Sequence, residues 1–131
     1  MYLIDTNVWL ERLLDQQRAE EVGRFLDRTP PEYLLITDFA LHSIGVILTR
    51  LKQPQALVKF VQDLFLEGAV GLVRLEPEDL VGLVGVMERF NLDFDDAYQY
   101  LAAEKHRLTL VSFDSDFDQT EMGRMAPEQA K

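Results

Sequence analysis

The chain has no cysteine, two histidines, five prolines and a single tryptophan. Without thiols it cannot build a disulfide framework, a thiolate zinc site, an iron–sulfur cluster or a cysteine nucleophile. Two histidines leave little for a multi-histidine metal site. Positive charge is also scarce: 13 basic side chains stand against 23 acidic ones, a formal net charge of −10. A basic stripe that would bind nucleic acid by charge alone is therefore not expected. The apolar runs are short and broken by charge, well below the ~20 residues of a membrane-spanning helix. Met1-Tyr2-Leu3-Ile4-Asp5 has no basic flank and does not read as a secretory signal. The expectation is a cytoplasmic chain with no membrane partner.

What is present suits one domain: 131 residues, 47% of them hydrophobic, are enough to bury a core. Apolar runs and caps predict strands at 2–4 and 33–36, a weaker one at 71–75 and a fourth at 108–112. Helical spacing predicts helices over 7–14, 17–28, 38–51, 53–66, 77–90 and 94–106. Pro30-Pro31 stops the second helix, and Thr37-Asp38 offers cap chemistry for the third. Short strands alternating with helices imply right-handed crossovers and a three-layer α/β/α fold. Its centre is a parallel sheet of four or five strands. Residues 1–118 are expected to form the domain and 119–131 a polar tail.

In an open parallel sheet, ligands collect at the carboxyl ends of the strands. Acids gather there. Asp5 ends the first strand, Asp114 and Asp116 follow the fourth, and Asp93, Asp95 and Asp96 open the helix before it. Carboxylates that converge repel one another, and a hard divalent cation with oxygen ligands removes the conflict. Each acid also has a plainer role. Asp5 can cap the first helix, Asp93 can cap the sixth with Asp96 at the capping-box position, and Asp95 and Asp118 suit solvent. The run Asp114–Asp118 is no calcium loop, because Gln119 and Met125 stand where glycine and glutamate are required. Nor is the chain a phospho-acceptor receiver: Thr6-Asn7 and Phe113-Asp114 supply neither the paired acids nor the lysine that chemistry needs.

Together the motifs resemble the PIN-domain ribonucleases. Tyr2-Leu3-Ile4-Asp5-Thr6-Asn7-Val8 is similar to the family's opening strand, and Asp95-Asp96-Ala97 with Ala102-Ala103 to its central helix. Leu110-Val111-Ser112-Phe113-Asp114-Ser115-Asp116-Phe117 is similar to its closing strand and loop. The resemblance implies Mg2+- or Mn2+-dependent hydrolysis of RNA phosphodiesters, and, at this length, the toxin half of a VapBC-type toxin–antitoxin pair. It implies Asp5, Asp96 and Asp114 as metal ligands, with Asp116 assisting directly or through water. Asn7 would orient Asp5, and Ser112 takes the place of the usual Thr or Ser before the last acid. It further implies a homodimer and an antitoxin protein as partner.

One departure stands out. Aligning Thr37 with the family's Ser/Thr puts His42 where a glutamate is usual. A histidine there can ligate a metal, favouring manganese over magnesium, or can simply bond to Asp38 on a polar helix face. The alternative function is therefore a catalytically weakened PIN-fold module that binds a protein partner or RNA. Arg12, Arg50, Lys52, Lys105 and Arg107 are candidate RNA contacts, expected near the cleft. Trp9, Leu13, Leu14, Phe60, Phe65 and Leu66 are either core or a groove for a partner.

Overall fold

The computed structural model describes residues 1–130. The chain order is β1 (Tyr2–Ile4), α1 (Thr6–Leu13), α2 (Ala19–Arg28), β2 (Leu34–Thr37), α3 (Asp38–Arg50) and α4 (Pro54–Val61). Then come β3 (Gly71–Val73), α5 (Asp79–Phe90), α6 (Phe94–His106) and β4 (Thr109–Val111). The four strands form one sheet in the order β3-β2-β1-β4. All three pairings are parallel, with Tyr2 beside both Leu34 and Thr109 and Leu35 beside Gly71. The expected parallel α/β architecture is therefore present, with four strands.

Alternation along the strands divides the core in two, because successive side chains leave a strand on opposite faces. Leu3 and Leu110 point into one cluster with Leu83, Phe90, Tyr100 and Phe117. Ile4, Ile36 and Val111 point into the other with Val8, Trp9, Phe25, Ile44, Leu48 and Phe60. Thus α5 and α6 cover one face of the sheet and α1 to α4 the other. Burying each such Leu, Ile or Phe contributes roughly 1.5–3 kcal/mol. Trp9 and Phe60 are core, Leu13, Leu14 and Phe65 pack partly against it, and Leu66 is exposed.

Element edges shift for local reasons. Tyr33 falls in a 3-10 turn over Pro31–Tyr33, so β2 starts one residue later than the sequence pattern suggests. The helix expected to run to 66 is α-helical only to Val61, and Gln62–Leu66 winds as a π turn. Leu75 leaves the sheet, although it stays buried.

The segment after 118 lies against the domain. Met125 pairs in parallel with Val111: its N–H donates to the Leu110 carbonyl, and its carbonyl accepts from Ser112 N–H, both at 2.9 Å. Arg28 donates to the carbonyls of Pro127 and Ala130, and Pro127 and Ala130 are buried. A polar composition hid this anchoring, because it rests on backbone bonds and small buried residues.

Candidate active site

At the carboxyl ends of β2, β1 and β4 a chain of hydrogen bonds runs across the sheet. Thr37, the N-cap of α3, takes the Ala40 N–H and donates its hydroxyl to Gln99 Oε1 at 2.6 Å. Gln99 Nε2 donates to Asp5 Oδ1 at 3.0 Å. Ser112 Oγ donates to Asp5 Oδ2 at 2.7 Å and accepts the Asp114 N–H at 2.9 Å. The strand order makes this possible, since β1 lies between β2 and β4 and its terminal acid faces both neighbours.

Asp5 is 6% exposed. Its burial pushes the carboxyl above its ordinary range, against the pull of bonds from Ser112, Gln99 and the Thr6 N–H. The cap role foreseen for Asp5 is real, with Thr6 N at 2.8 Å, and coexists with its place in the cleft. Asn7 does not touch Asp5 directly. It donates to Ser112 Oγ and accepts the Phe113 N–H, so it ties α1 to the loop after β4.

Asp96, Asp114 and Asp116 form the tight group: one carboxylate oxygen from each lies within 4.8 Å of the other two. Asp93 caps α6 by accepting the Asp96 N–H at 3.0 Å. Asp114 likewise accepts the Asp116 N–H at 2.9 Å, which opens a short 3-10 turn and brings Asp116 round to the same side. Asp96 is half-buried and its carboxyl is pushed up to about 8, first by burial and then by the negative charges of Asp114, Asp93 and Asp5. Asp95 lines the cleft and is exposed. Asp118 is exposed and pairs with Arg124, whose guanidinium also donates to the Ser112 carbonyl and so braces the loop.

The acids open into a cleft of about 610 Å3. Asp5, Asn7, Asp95, Asp96 and Gln99 line one side; Leu10, Phe39, His42, Val46 and Ile47 line the other. His42 is exposed and makes no bond to Asp38, whose Oδ1 instead accepts the Tyr98 hydroxyl at 2.8 Å. It also stands outside the tight acidic group.

The basic residues are placed differently from expectation. Helices that start at the carboxyl edge of a parallel sheet end at the opposite edge. Arg50 closes α3 and Lys52 follows it, while Lys105 and Arg107 close α6, so all four sit at the far edge. Lys105 is engaged with Asp79. Arg12 lies in the last turn of α1 and donates to the Ala19 carbonyl at 3.4 Å. A Cβ on Gly23 would come within 2.9 Å of its guanidinium, so this arginine joins α1 to α2. No lysine or arginine lines the cleft among the described residues.

Gln99 was not singled out from the sequence. The available signal was one long amide, three residues after Asp96 and so on the same side of α6, inside a run of alanines and aromatic residues. Thr37 was read only as a cap.

The donor set is all oxygen and carries a raised carboxyl pKa, so these residues fit a hard divalent cation. Comparison with known proteins agrees with the geometry. The PIN domain family model matches residues 2–122, and the chain belongs to the PIN-domain family. No curated protein matches it by sequence. VapC20 from Mycobacterium tuberculosis, described as a sarcin–ricin loop cleaving toxin, superposes with a TM-score of 0.81 at 18% identity, over 97% of this chain and 100% of that one. A toxin–antitoxin complex from Klebsiella pneumoniae gives 0.77 at 21% identity, over 99% and 100%. VapBC2 from Rickettsia felis, solved bound to a DNA fragment from its promoter, gives 0.71 at 15%, over 95% and 96%. At these identities the likeness is one of fold. No helix among the described residues is long and apolar enough to cross a membrane.

Proposed function

We propose that the chain is a Mg2+- or Mn2+-dependent ribonuclease of the toxin type, acting on RNA phosphodiester bonds in the cytoplasm. The observation that carries this reading is the convergence of Asp96, Asp114 and Asp116, with Asp5 held behind them, at the carboxyl edge of the sheet. Asp5, Asp96, Asp114 and Asp116 would hold the cation. When bound, it supplies charge neutralisation and Lewis-acid polarisation of the scissile phosphodiester. Ser112 and Gln99 fix both oxygens of Asp5, so that acid presents a set geometry and does not rotate. Ser112 also sets Asp114, so one hydroxyl aligns acids from two strands. Asn7 keeps the following loop in register through the Phe113 N–H. At neutral pH without a cation, Asp96 holds a proton at its carboxyl, shared with Asp114.

RNA as substrate is supported by family membership and by the likeness to the sarcin–ricin loop cleaving toxin. An antitoxin partner is supported by the likeness to toxin–antitoxin complexes. A groove of about 450 Å3 between α3 and α4, lined by Leu41, Val46, Leu57 and Val61, suits an apolar helix of such a partner. Exposed Leu80, Val81 and Val84 on α5 suit a second copy. The weakened-module reading has less support, because the acidic group assembles without His42.

The test is cleavage of a single-stranded RNA in Mn2+ or Mg2+. Asp5→Asn should lower the rate at least ~100-fold, since it weakens a ligand set that acts as a unit. His42→Glu should change it by less than ~10-fold. Metal-independent cleavage, or full activity in Asp5→Asn, sinks the proposal; a large gain in His42→Glu favours the weakened module.

A further inference from the structure

We infer that Phe39, Phe94 and Tyr98 form a stacking platform for an unpaired RNA base beside the scissile phosphate. This rests on the ribonuclease reading and adds what holds the substrate. The three rings pack together, with centroids 5.8 Å apart for Phe39–Phe94, 5.3 Å for Phe39–Tyr98 and 6.2 Å for Phe94–Tyr98. Tyr98 is the fixed base of the group: its ring is buried, and its hydroxyl accepts the Leu75 N–H and donates to Asp38. Phe39 forms part of the cleft wall. Phe94 is the first residue of α6, two positions before Asp96, and 42% of it is exposed.

The ring of Phe94 belongs to neither buried core cluster, so folding gains little from it. It is a large apolar surface held in a set orientation at the rim of an acidic cleft. That cleft lacks lysine and arginine among the described residues, and Arg50, Lys52, Lys105 and Arg107 sit at the opposite edge of the sheet. A chain of net charge −10 must therefore hold a polyanion by something other than side-chain cations. A flat aromatic face meets that need, because every base has a π-face and stacking needs no charge. Bases in an A-form duplex are already stacked, so the ligand is a single-stranded or looped segment with a splayed base.

The test is steady-state cleavage of a single-stranded RNA by the full chain in Mn2+, with a matched RNA that is abasic next to the cut. Phe94→Leu keeps an apolar side chain and removes the ring; Phe94→Trp restores an aromatic face. Phe94→Leu should raise KM about tenfold, the scale of one lost base–aromatic stack, with the loss on KM rather than kcat. Phe94→Trp should recover the wild-type KM, and the abasic RNA should erase the difference between wild type and Phe94→Leu. An unchanged KM in Phe94→Leu overturns the platform. So does a KM rise that persists in full on the abasic RNA. So does a change in oligomeric state with RNA kinetics intact, which would make the ring a protein contact. If the wild type cuts no RNA, the ribonuclease reading falls and takes the platform with it; if RNA is cut and Phe94→Leu is indifferent, only the platform falls.

Discussion

Asp96 serves two purposes within one helical turn. Its N–H is taken by the Asp93 cap while its carboxyl faces Asp114. The cap role read for Asp93 from the sequence thus also positions the neighbouring acid. Raising the carboxyl to about 8 has a direct consequence for stability. The folded chain holds a proton that the unfolded chain releases near its ordinary 3.8, so without metal the fold weakens as pH rises between these values. Buried Asp5, also raised, acts in the same direction. Asp96→Asn removes this penalty and cannot ionise. After allowance for solvent screening of a half-buried group, about 1 kcal/mol is expected, so in a chelator at pH 8 the variant should melt about 3–5 °C above wild type. The gap should close toward pH 4. A variant that melts below wild type at pH 8 would contradict the crowding of charge assigned to this site.

At the scale of elements, strong periodicity and strong caps were readable. The helix over Phe94–His106 matches its predicted bounds because Asp93 caps one end and Arg107, in a left-handed conformation at φ 56°, closes the other. The strand-end acids were readable for a related reason: Asp5 and Asp114 each follow a short apolar run, and parallel topology sends both to one edge. Three features escaped. Gln99 reaches Asp5 across the interior, a long-range contact that local pattern does not encode. The basic residues were near the acids in sequence, yet a helix such as α6 separates its two ends by about 20 Å at ~1.5 Å per residue. The final segment binds through its backbone at Met125 and so left no apolar stripe. Its contacts make a prediction. Removing residues 119–131 exposes the β4 edge and frees Arg28 and the Ser112 carbonyl, so the fold should lose about 2–4 kcal/mol in urea unfolding. A truncated chain as stable as the full one would show that these bonds contribute nothing net.

For the whole molecule, charge is the organising quantity. The net −10 is not evenly spread in its effect: part of it is concentrated at one edge of the sheet, where Asp5, Asp96, Asp114 and Asp116 face a cleft without basic lining. An oxygen-only site is what a chain with no cysteine and two histidines is able to build for a cation. The same edge carries the apolar wall and the aromatic rim. One side of the cleft is therefore suited to a cation and a phosphate, the other to a base. The central claim is that a divalent cation resolves this crowding of carboxylates. The most direct measurement is calorimetric titration of the metal-free chain with Mn2+ at pH 7, in two buffers of different ionisation heat. Saturable binding with release of about one proton is expected, because Asp96 must ionise to bind, and Asp114→Asn should abolish it. Unchanged Mn2+ binding in Asp114→Asn, or binding with no proton released, would contradict the claim.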